Sequence, residues 1–236
     1  IQYPISNIQA KVAIVGSGPA GLTAAWFLAR EGYAVTVFEA LPVAGGMMAV
    51  GIPDYRLPRD VLESEIAAIE DLGVEIRTNT TIGPNGDLSL DDLRRDYDAV
   101  FVAVGAHGSR RLNVEGEDLA GVLHGVDFLR AVNLGHDVTV GEKVLVIGGG
   151  DVAIDSAMVA RRVGGQQVTV VYRRSREEMP AHPWEIEEAE EEGVAFRFLA
   201  TPTRVLGQNG RVTGLECLRM ELGEPDESGR RRPIPV

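Results

Sequence analysis

The stretch that decides the fold is Lys11-Val12-Ala13-Ile14-Val15-Gly16-Ser17-Gly18-Pro19-Ala20-Gly21. Its first five residues are mostly apolar and β-branched, which is typical of a buried parallel strand, and the run stops at Gly16. From Pro19 to Arg30 the apolar residues recur with helical spacing, and proline suits the first turn of a helix. A second strand is predicted at 34–38, with Glu39 directly after it. The pattern predicts a βαβ unit with a glycine-rich turn before its helix.

The glycines of this turn are suited to a dinucleotide. Gly16 lets the chain turn sharply, Gly18 has no side chain to keep a pyrophosphate away from the backbone, and Gly21 lets helix and strand pack closely. The N–H groups and the dipole of the first helical turn favour phosphates. Glu39, about 18 residues after Gly21, can accept hydrogen bonds from ribose hydroxyls and would repel a 2′-phosphate. All residues of the turn, 16–21, and Glu39 are therefore predicted to contact a dinucleotide.

The segment that follows the acid favours FAD over NAD as that dinucleotide. It reads Pro42-Val43-Ala44-Gly45-Gly46-Met47-Met48 and is predicted to form a flexible, sterically open loop. Gly45 and Gly46 would let the backbone pass close to a large ligand such as an isoalloxazine ring. The first site is therefore predicted to bind FAD.

A second glycine-rich turn, Gly148-Gly149-Gly150-Asp151-Val152-Ala153, follows another apolar run at 143–147. Ala153 stands where the pattern has its third glycine, a replacement that the fingerprint tolerates. A helix is predicted at 152–163 and a strand at 167–172, so Arg173 and Arg174 follow about 20 residues after Ala153. A guanidinium group can donate hydrogen bonds to two phosphate oxygens at once. The two arginines therefore predict a 2′-phosphate and hence NADPH. Two different dinucleotides in one chain predict electron transfer between them.

Composition excludes several other classes of protein. The formal charge of −12 would repel nucleic acid, and the one basic cluster, Arg230-Arg231-Arg232, is predicted to be a solvated turn. No run approaches the about 18 apolar residues that span a bilayer, so no membrane span is predicted. The start, Ile1-Gln2-Tyr3-Pro4, does not resemble a signal peptide. Because it also lacks an initiating methionine, we expect a segment upstream. The single cysteine, Cys217, makes the cytoplasm the predicted compartment.

Only one cysteine, Cys217, is present, and it is predicted to be buried in a strand at 214–220. A single thiol cannot form an internal disulfide, a redox-active dithiol or an iron–sulfur cluster, so a dithiol reductase is disfavoured. The histidines at 107, 124 and 136 lack metal-ligand spacing, and no metal site is predicted.

Three stretches together resemble the small (beta) subunit of NADPH-dependent glutamate synthase and the flavin half of dihydropyrimidine dehydrogenase: Gly16–Gly21, Glu39–Met47 and Gly51–Pro58. The resemblance implies that residues 39–47 lie along FAD, that Arg56 contacts it and that Ile82 touches its adenine end. Residues 171–180 match the NADPH segment of the family, and Gly149–Val152 would line the pyrophosphate.

The same resemblance implies an α/β fold of two Rossmann-type domains, each a parallel sheet flanked by helices. Residues 1–105 would be the first part of an FAD domain, into which an NADPH domain, 106–236, is inserted. Relatives carry a cysteine-rich iron–sulfur domain upstream and return to the FAD domain downstream, so the chain is expected to be the middle of a longer protein. If a wall of the flavin site is missing, FAD would bind weakly.

The expected reaction is hydride transfer from NADPH to FAD, followed by single-electron transfer to an iron–sulfur partner, such as a subunit of a large synthase or dehydrogenase. The cofactors supply this chemistry, so no catalytic side chain is predicted. Two alternatives stay open. One is a stand-alone NADPH reductase acting on quinone or ferredoxin, and the other is a nucleotide-binding module without turnover.

Overall fold

The chain divides between His107 and Gly108 into two units, and the computed structural model describes residues 10–236 of it. The opening residues, for which no signal peptide is predicted, lie outside the described residues. The predicted α/β class with parallel sheets is confirmed in both units.

The first unit contains a four-stranded sheet in the order β3-β2-β1-β4, and every pair of neighbouring strands is parallel. Its strands are β1 (Lys11–Val15), β2 (Ala34–Phe38), β3 (Glu75–Arg77) and β4 (Ala99–Val102). Its helices are α1 (Pro19–Arg30), α2 (Met47–Val50), α3 (Arg59–Glu70) and α4 (Leu90–Asp96). The predicted strand–turn–helix–strand unit is therefore present at its expected positions.

The two faces of this sheet are buried against different helices. Val12 and Ile14 of β1 pack in a cluster with Ala25 of α1, while the alternate residues Ala13 and Val15 pack on the other face, towards α4. Side chains of successive strand residues point to opposite faces, so a strand covered on both sides needs apolar residues throughout. This double burial fixes the end of β1, where the first glycine turn begins.

β4 is less buried than its sequence predicts. The apolar run at 99–104 predicts a buried strand, but β4 is an edge strand that pairs with β1 alone, and Phe101 and Val102 are 43% and 55% exposed. Apolar composition selects for strand structure, whereas burial also needs neighbouring elements to cover the strand. Within residues 10–236, those neighbours leave the outer part of β4 uncovered.

A capping box starts α4, and it carries a testable pH dependence. The Ser89 Oγ accepts from the Asp92 N–H at 3.1 Å, and the Ser89 N–H and hydroxyl donate to the Asp92 carboxylate at 2.9 and 2.6 Å. The hydroxyl hydrogen bond above all lowers the pKa of Asp92 from 3.8 to about 2. Stability from this carboxylate is present above its unfolded pKa and is lost as pH falls towards 2.

We expect Ser89→Ala to lower the midpoint of thermal unfolding by about 4 °C at neutral pH, because the helix loses its N-cap. The difference from wild type should shrink between pH 4 and pH 2. Ser64→Ala, which removes an exposed hydroxyl inside α3, is the control and should change the midpoint little at either pH. A difference that stays constant to pH 2 would contradict the proposed role of Asp92.

The second unit combines a parallel and an antiparallel sheet. Its parallel sheet has the order β5-β6-β7, with strands β5 (Lys143–Ile147), β6 (Gln167–Val171) and β7 (Ala195–Arg197). Its helices are α5 (Gly125–Asn133), α6 (Asp151–Arg162) and α7 (Pro183–Glu191), with a 3₁₀ turn at Arg176–Glu178. α6 runs between β5 and β6, so the second turn also occupies a βαβ unit.

The antiparallel sheet of this unit is an addition to the predicted parallel architecture. It has the order β10-β9-β8, with strands β8 (Ala200–Gln208), β9 (Arg211–Pro225) and β10 (Arg231–Pro235). Cys217 lies in β9, as the strand prediction requires, but the expectation that it is buried is wrong, because its side chain is exposed. Long strands of a three-stranded sheet leave many side chains in solvent, and apolar flanking residues do not reveal which ones.

Candidate nucleotide-binding sites

The first glycine turn is shaped by two glycines and left open by the third. Gly16 has φ +105°, and a Cβ there would lie 2.4 Å from the Ala103 carbonyl oxygen. A Cβ on Gly21 would lie 1.9 Å from the Gly16 carbonyl oxygen, so helix and strand approach too closely for any side chain. Gly18 precedes the first residue of α1, and a Cβ there would meet no protein atom within 4 Å. The turn is therefore closed on the protein side and open on the side a ligand would approach.

Glu39 is buried beside this turn. One carboxylate oxygen accepts from the Ser17 N–H at 3.0 Å and from the Ser17 hydroxyl at 2.6 Å. The other accepts from the Leu41 N–H at 2.9 Å. A carboxylate has about four lone-pair positions, so one acceptor position remains for a further donor such as a ribose hydroxyl. The arrangement brings the predicted acid and the predicted turn together.

The segment after Glu39 is not the open, flexible loop that its glycines predict. The Gly45 N–H donates to the Ser17 carbonyl at 3.1 Å, and both Gly45 and Gly46 are buried. Gly46 has φ +55°, and a Cβ there would lie 2.7 Å from the Gly18 Cα. Both residues are thus packed on the first turn, and Met47 begins α2 directly afterwards.

Arg59 is a residue that sequence reasoning missed in this region. Its guanidinium donates to the Met48 carbonyl at 2.8 Å and to the Ile52 carbonyl at 2.7 Å, which ties α3 to α2 and the chain after it. Arg56, the arginine singled out earlier, is half-buried and lies 5.3 Å from the Tyr55 ring centroid. No local sequence signal distinguishes Arg59 from Arg56, because the two carbonyls that Arg59 binds lie 11 and 7 residues away in the sequence.

Ile82 and the outer residues of the first turn occupy different environments. Ile82 is half-buried against the core cluster that contains Phe38, and it forms an isolated bridge with Leu88. Pro19 and Ala20, the first two residues of α1, are exposed. Because Pro19 and Ala20 are exposed at the start of α1, this side of the first turn is accessible. The contact predicted between Ile82 and FAD stays a prediction.

The second glycine turn is built like the first but is wider. Gly148 has φ +146°, and a Cβ there would lie 3.0 Å from the methyl group of Ala153. The second turn thus has room for the Ala153 methyl group, whereas the first has no room for a side chain at Gly21. Gly150 precedes α6, and the nearest atom to its Cβ position is the Pro180 Cγ at 3.9 Å. Asp151 and Val152, the first two residues of α6, are exposed.

Tyr172 occupies the position in the second unit that Glu39 has in the first. Each follows the last residue of the strand, and their N–H groups donate to the carbonyls of Arg77 and Arg197, both at 2.9 Å. Tyr172 is buried, and its ring fills the space where a Cβ on Gly149 would be, 2.5 Å away. β6 ends at Val171, one residue before its predicted end at Tyr172, so Arg173 and Arg174 lie one and two residues beyond the position equivalent to Glu39. The second unit has no acid at this position.

The correspondence continues at the end of the third strand. Asn79 and Leu199 both have positive φ, 52° and 56°, two residues beyond β3 and β7. The Asn79 N–H donates to the Leu41 carbonyl at 3.0 Å, and the Leu199 N–H donates to the Arg174 carbonyl at 3.2 Å. A leucine with positive φ is unfavourable by about 1 kcal/mol. The surrounding structure must therefore stabilise Leu199 in this conformation, in which its N–H binds the Arg174 carbonyl.

The two arginines after Tyr172 lie in contrasting environments. Arg173 is exposed, and no partner for its guanidinium is found among residues 10–236. Arg174 is 4% exposed, and its guanidinium donates to the Asp226 carboxylate at 2.5 Å and to the Arg231 carbonyl at 2.8 Å. The structure therefore does not bring both guanidinium groups to one open site, and Arg173 alone is available to a ligand.

The described residues show neither a membrane-spanning helix nor a cluster of metal-binding side chains. Across residues 10–236, the helices are all too short or too polar to cross a lipid bilayer. The same residues contain no group of three or more histidine, cysteine, aspartate or glutamate side chains arranged to hold a metal ion.

Two units with one backbone design and a glycine turn in each define a two-domain dinucleotide-binding protein. A family model described as pyridine nucleotide-disulphide oxidoreductase matches residues 10–227, and the chain belongs to that family.

Relatives of known description agree with the resemblance predicted from the sequence. The chain is 57% identical over 229 residues to the NADP(+)-dependent formate dehydrogenase subunit beta of Moorella thermoacetica, a match that covers 96% of this chain and 32% of that protein. It is 41% identical over 234 residues to the glutamate synthase (NADPH) small chain of Escherichia coli, covering 94% and 49%. The resemblance to glutamate synthase small subunits is confirmed. The chain spans about a third to a half of the length of these relatives.

Solved structures confirm the fold class. FprA of Mycobacterium tuberculosis, in a structure described as a complex with NADPH, matches with a TM-score of 0.81 at 24% identity, over 97% of this chain and 67% of that one. A thioredoxin reductase of Lactococcus lactis matches with a TM-score of 0.65 at 24% identity, over 96% and 75%. At this level of identity the likeness concerns the fold alone.

Proposed function

We propose that this chain is the nucleotide-binding part of a flavoprotein oxidoreductase, with FAD at the first glycine turn and NADPH at the second. The observation that carries the proposal is a difference between two units of one backbone design. Glu39 follows the second strand of the first unit, whereas buried Tyr172 and exposed Arg173 follow that of the second. An acid suits a free ribose diol, and a cation without an adjacent acid suits a 2′-phosphate.

The first site fits the FAD pyrophosphate and ribose. The space at Gly18 is free of protein atoms, and the N–H groups of the first turn of α1 are not covered by side-chain caps. Glu39 retains acceptor capacity beside that turn. The residues that would hold FAD are Gly16, Ser17, Gly18, Pro19, Ala20, Gly21, Glu39, Gly45, Gly46 and Met47, with Arg56 and Ile82 proposed from the family resemblance.

The second site fits NADPH through its turn and one arginine. Gly148, Gly149, Gly150, Asp151, Val152 and Ala153 would line the pyrophosphate, and Arg173 would bind the 2′-phosphate. We assign the FAD domain to residues 1–105 and the NADPH domain to 106–236, following the predicted organisation. Arg174 supports this site from the protein interior rather than from the open side.

Bound at the first glycine turn, FAD would supply the chemistry of accepting a hydride from NADPH and of releasing electrons one at a time. The chain's own residues bind and orient the two dinucleotides, and none is required to move a proton. The lone Cys217 cannot serve as a dithiol acceptor, so the electrons must leave to another group.

The proposed acceptor is an iron–sulfur protein or domain, and the proposed compartment is the cytoplasm. Similar proteins are described as the beta subunit of an NADP(+)-dependent formate dehydrogenase, the beta subunit of an NADPH-Fe(3+) oxidoreductase and the small chain of glutamate synthase. These descriptions support a subunit that passes electrons within a larger redox complex.

The direct test is the visible spectrum of the purified chain supplied with FAD, recorded before and after anaerobic addition of NADPH. We expect a flavin band that bleaches with NADPH and changes much less with the same concentration of NADH. A band that persists with both would contradict electron transfer within this chain. Failure to retain any FAD would favour the alternative of a nucleotide-binding module without turnover.

A further inference from the structure

The turn that joins β9 and β10, residues 226–230, and Arg231 at the start of β10 are connected to the chain segment after β6 by two ion pairs, each of which has one buried partner. Asp226 accepts from the Arg174 guanidinium at 2.5 Å, and Arg231 donates to the Glu178 carboxylate at 2.5 Å. Arg174 and Glu178 are both nearly inaccessible, with 5% and 7% of their side chains exposed. The sequence predicts a solvated turn at Arg230-Arg231-Arg232; Arg231 is exposed, as predicted, but Arg231 and Arg232 belong to β10 rather than to the turn. Removing Asp226 or Arg231 would leave a buried charge, Arg174 or Glu178, without its partner, which is more costly than losing a pair between two exposed residues.

Asp226 stabilises the β9–β10 turn with one carboxylate oxygen and binds Arg174 with the other. One carboxylate oxygen accepts from the Ser228 N–H at 2.9 Å and from its hydroxyl at 2.5 Å, which shapes the turn. The other oxygen reaches Arg174. The Ser228 hydroxyl first, and the Arg174 charge in addition, lower the pKa of Asp226 to about 2, so the acid is ionised at neutral pH.

The segment held in this way contains Arg173. On one side of it, the Tyr172 ring is buried and its hydroxyl donates to the Glu178 carbonyl at 2.8 Å. On the other side, Arg174 is held by Asp226 through its side chain and by Leu199 through its carbonyl. Arg173 is thus an exposed residue between two anchored neighbours, which limits the positions its guanidinium can take before a ligand arrives.

We infer that the β9–β10 turn is a specificity element for the phosphate site: Asp226 and Glu178 are positioning residues that fix the backbone of Arg173, and Arg174 is a positioning residue rather than a phosphate ligand. The inference rests on the proposed binding of NADPH at the second turn. A cation held in place in advance loses less conformational entropy when it binds a phosphate, so removing its supports should weaken recognition of that phosphate.

Whether phosphate binding becomes weaker or stronger when a negative charge is removed distinguishes this inference from a purely electrostatic effect. Asp226 and Glu178 are negative, so deleting either charge near an anion site should strengthen phosphate binding if only charge matters. If both residues act by positioning Arg173, deleting the charge should weaken it. The same reversal distinguishes the inference from a second model, in which Arg174 leaves Asp226 to bind the phosphate itself.

The probes are 2′,5′-ADP and 5′-AMP, which differ by the 2′-phosphate alone and require no flavin. We expect Asp226→Asn to weaken 2′,5′-ADP binding about 10-fold and to leave 5′-AMP binding within about twofold, measured by isothermal titration calorimetry on the full chain. Asp226→Glu, which keeps the carboxylate, should recover much of the loss. Glu227→Gln removes the same charge from an exposed neighbour and should leave both affinities within about twofold of wild type.

Each result has a distinct meaning. Unchanged or tighter 2′,5′-ADP binding by Asp226→Asn would overturn the inference while leaving the proposed NADPH site intact. Equal loss of both ligands would also overturn it, because general damage to the site would explain that result. If Asp226→Asn does not fold, Glu178→Gln provides the same reversal of sign. A wild-type chain that shows no preference for 2′,5′-ADP would overturn the proposed function together with the inference.

Discussion

Replacing Arg173 with alanine is expected to weaken NADP⁺ binding about 100-fold or more and to leave NAD⁺ binding within about twofold. A guanidinium can donate two charge-assisted hydrogen bonds to the 2′-phosphate, and each contributes about 1.5–3 kcal/mol. NAD⁺ has no phosphate at that position and should not detect the change. Because Arg173 is exposed and none of the described residues pairs with its guanidinium, its removal should leave the fold unaffected.

The control for this prediction is Arg211→Ala. Arg211 is an exposed arginine at the start of β9 in the same unit, so the variant loses the same charge. Calorimetric titration of both variants with NADP⁺ and NAD⁺ measures the selectivity directly. Equal weakening of the two nucleotides by Arg173→Ala, or equal effects of Arg173→Ala and Arg211→Ala on NADP⁺, would remove the assignment of Arg173 to the phosphate.

Gly18→Ala is expected to lose FAD binding while keeping its stability, whereas Gly21→Ala is expected to lose stability. Gly18 has φ −71°, which alanine adopts readily, and its Cβ would meet no protein atom. Gly18→Ala should therefore keep its unfolding midpoint within about 2 °C of wild type and yet bind FAD at least about 100-fold more weakly, because the methyl group fills the space proposed for the pyrophosphate. Gly21→Ala puts a methyl group 1.9 Å from the Gly16 carbonyl oxygen and should lower stability by about 3 kcal/mol.

This pair is read by thermal unfolding together with fluorescence titration of FAD. Gly18→Ala with wild-type FAD affinity would show that the pyrophosphate does not pass over Gly18. Gly21→Ala with wild-type stability would show that α1 and β1 can separate without cost. Each variant adds one methyl group to the same turn, at positions three residues apart, so each serves as the matched control for the other.

The parts of the fold that depend on local sequence could be predicted closely. β1, α1 and β2 begin and end where apolar periodicity, Gly16 and Pro19 predict, because strand and helix periods are properties of a few adjacent residues. The exposure of β4 could not be predicted in this way. Its apolar residues predict a strand, but whether a strand is covered depends on elements distant in the sequence.

In the candidate sites, too, features set by adjacent residues could be predicted, and features set by contacts between distant segments could not. Local sequence identified both glycine turns and Glu39, yet the packing of Gly46 on Gly18 depends on a contact between separate segments. Arg173 and Arg174 are chemically equal and adjacent, so no local signal separates them. Asp226, which lies 52 residues after Arg174, decides that one is buried and the other exposed.

The matching hydrogen bonds of Glu39 and Tyr172 have a consequence for redesign. Because the residue after the second strand is held through the same backbone contact in both units, we expect the proposed nucleotide preference to depend on the side chains at that position and the next. The scaffold beneath them need not change when the preference does. On the proposed assignment, we expect a few substitutions on this fixed framework to exchange cofactor selectivity in either unit, with each unit as the template for altering the other.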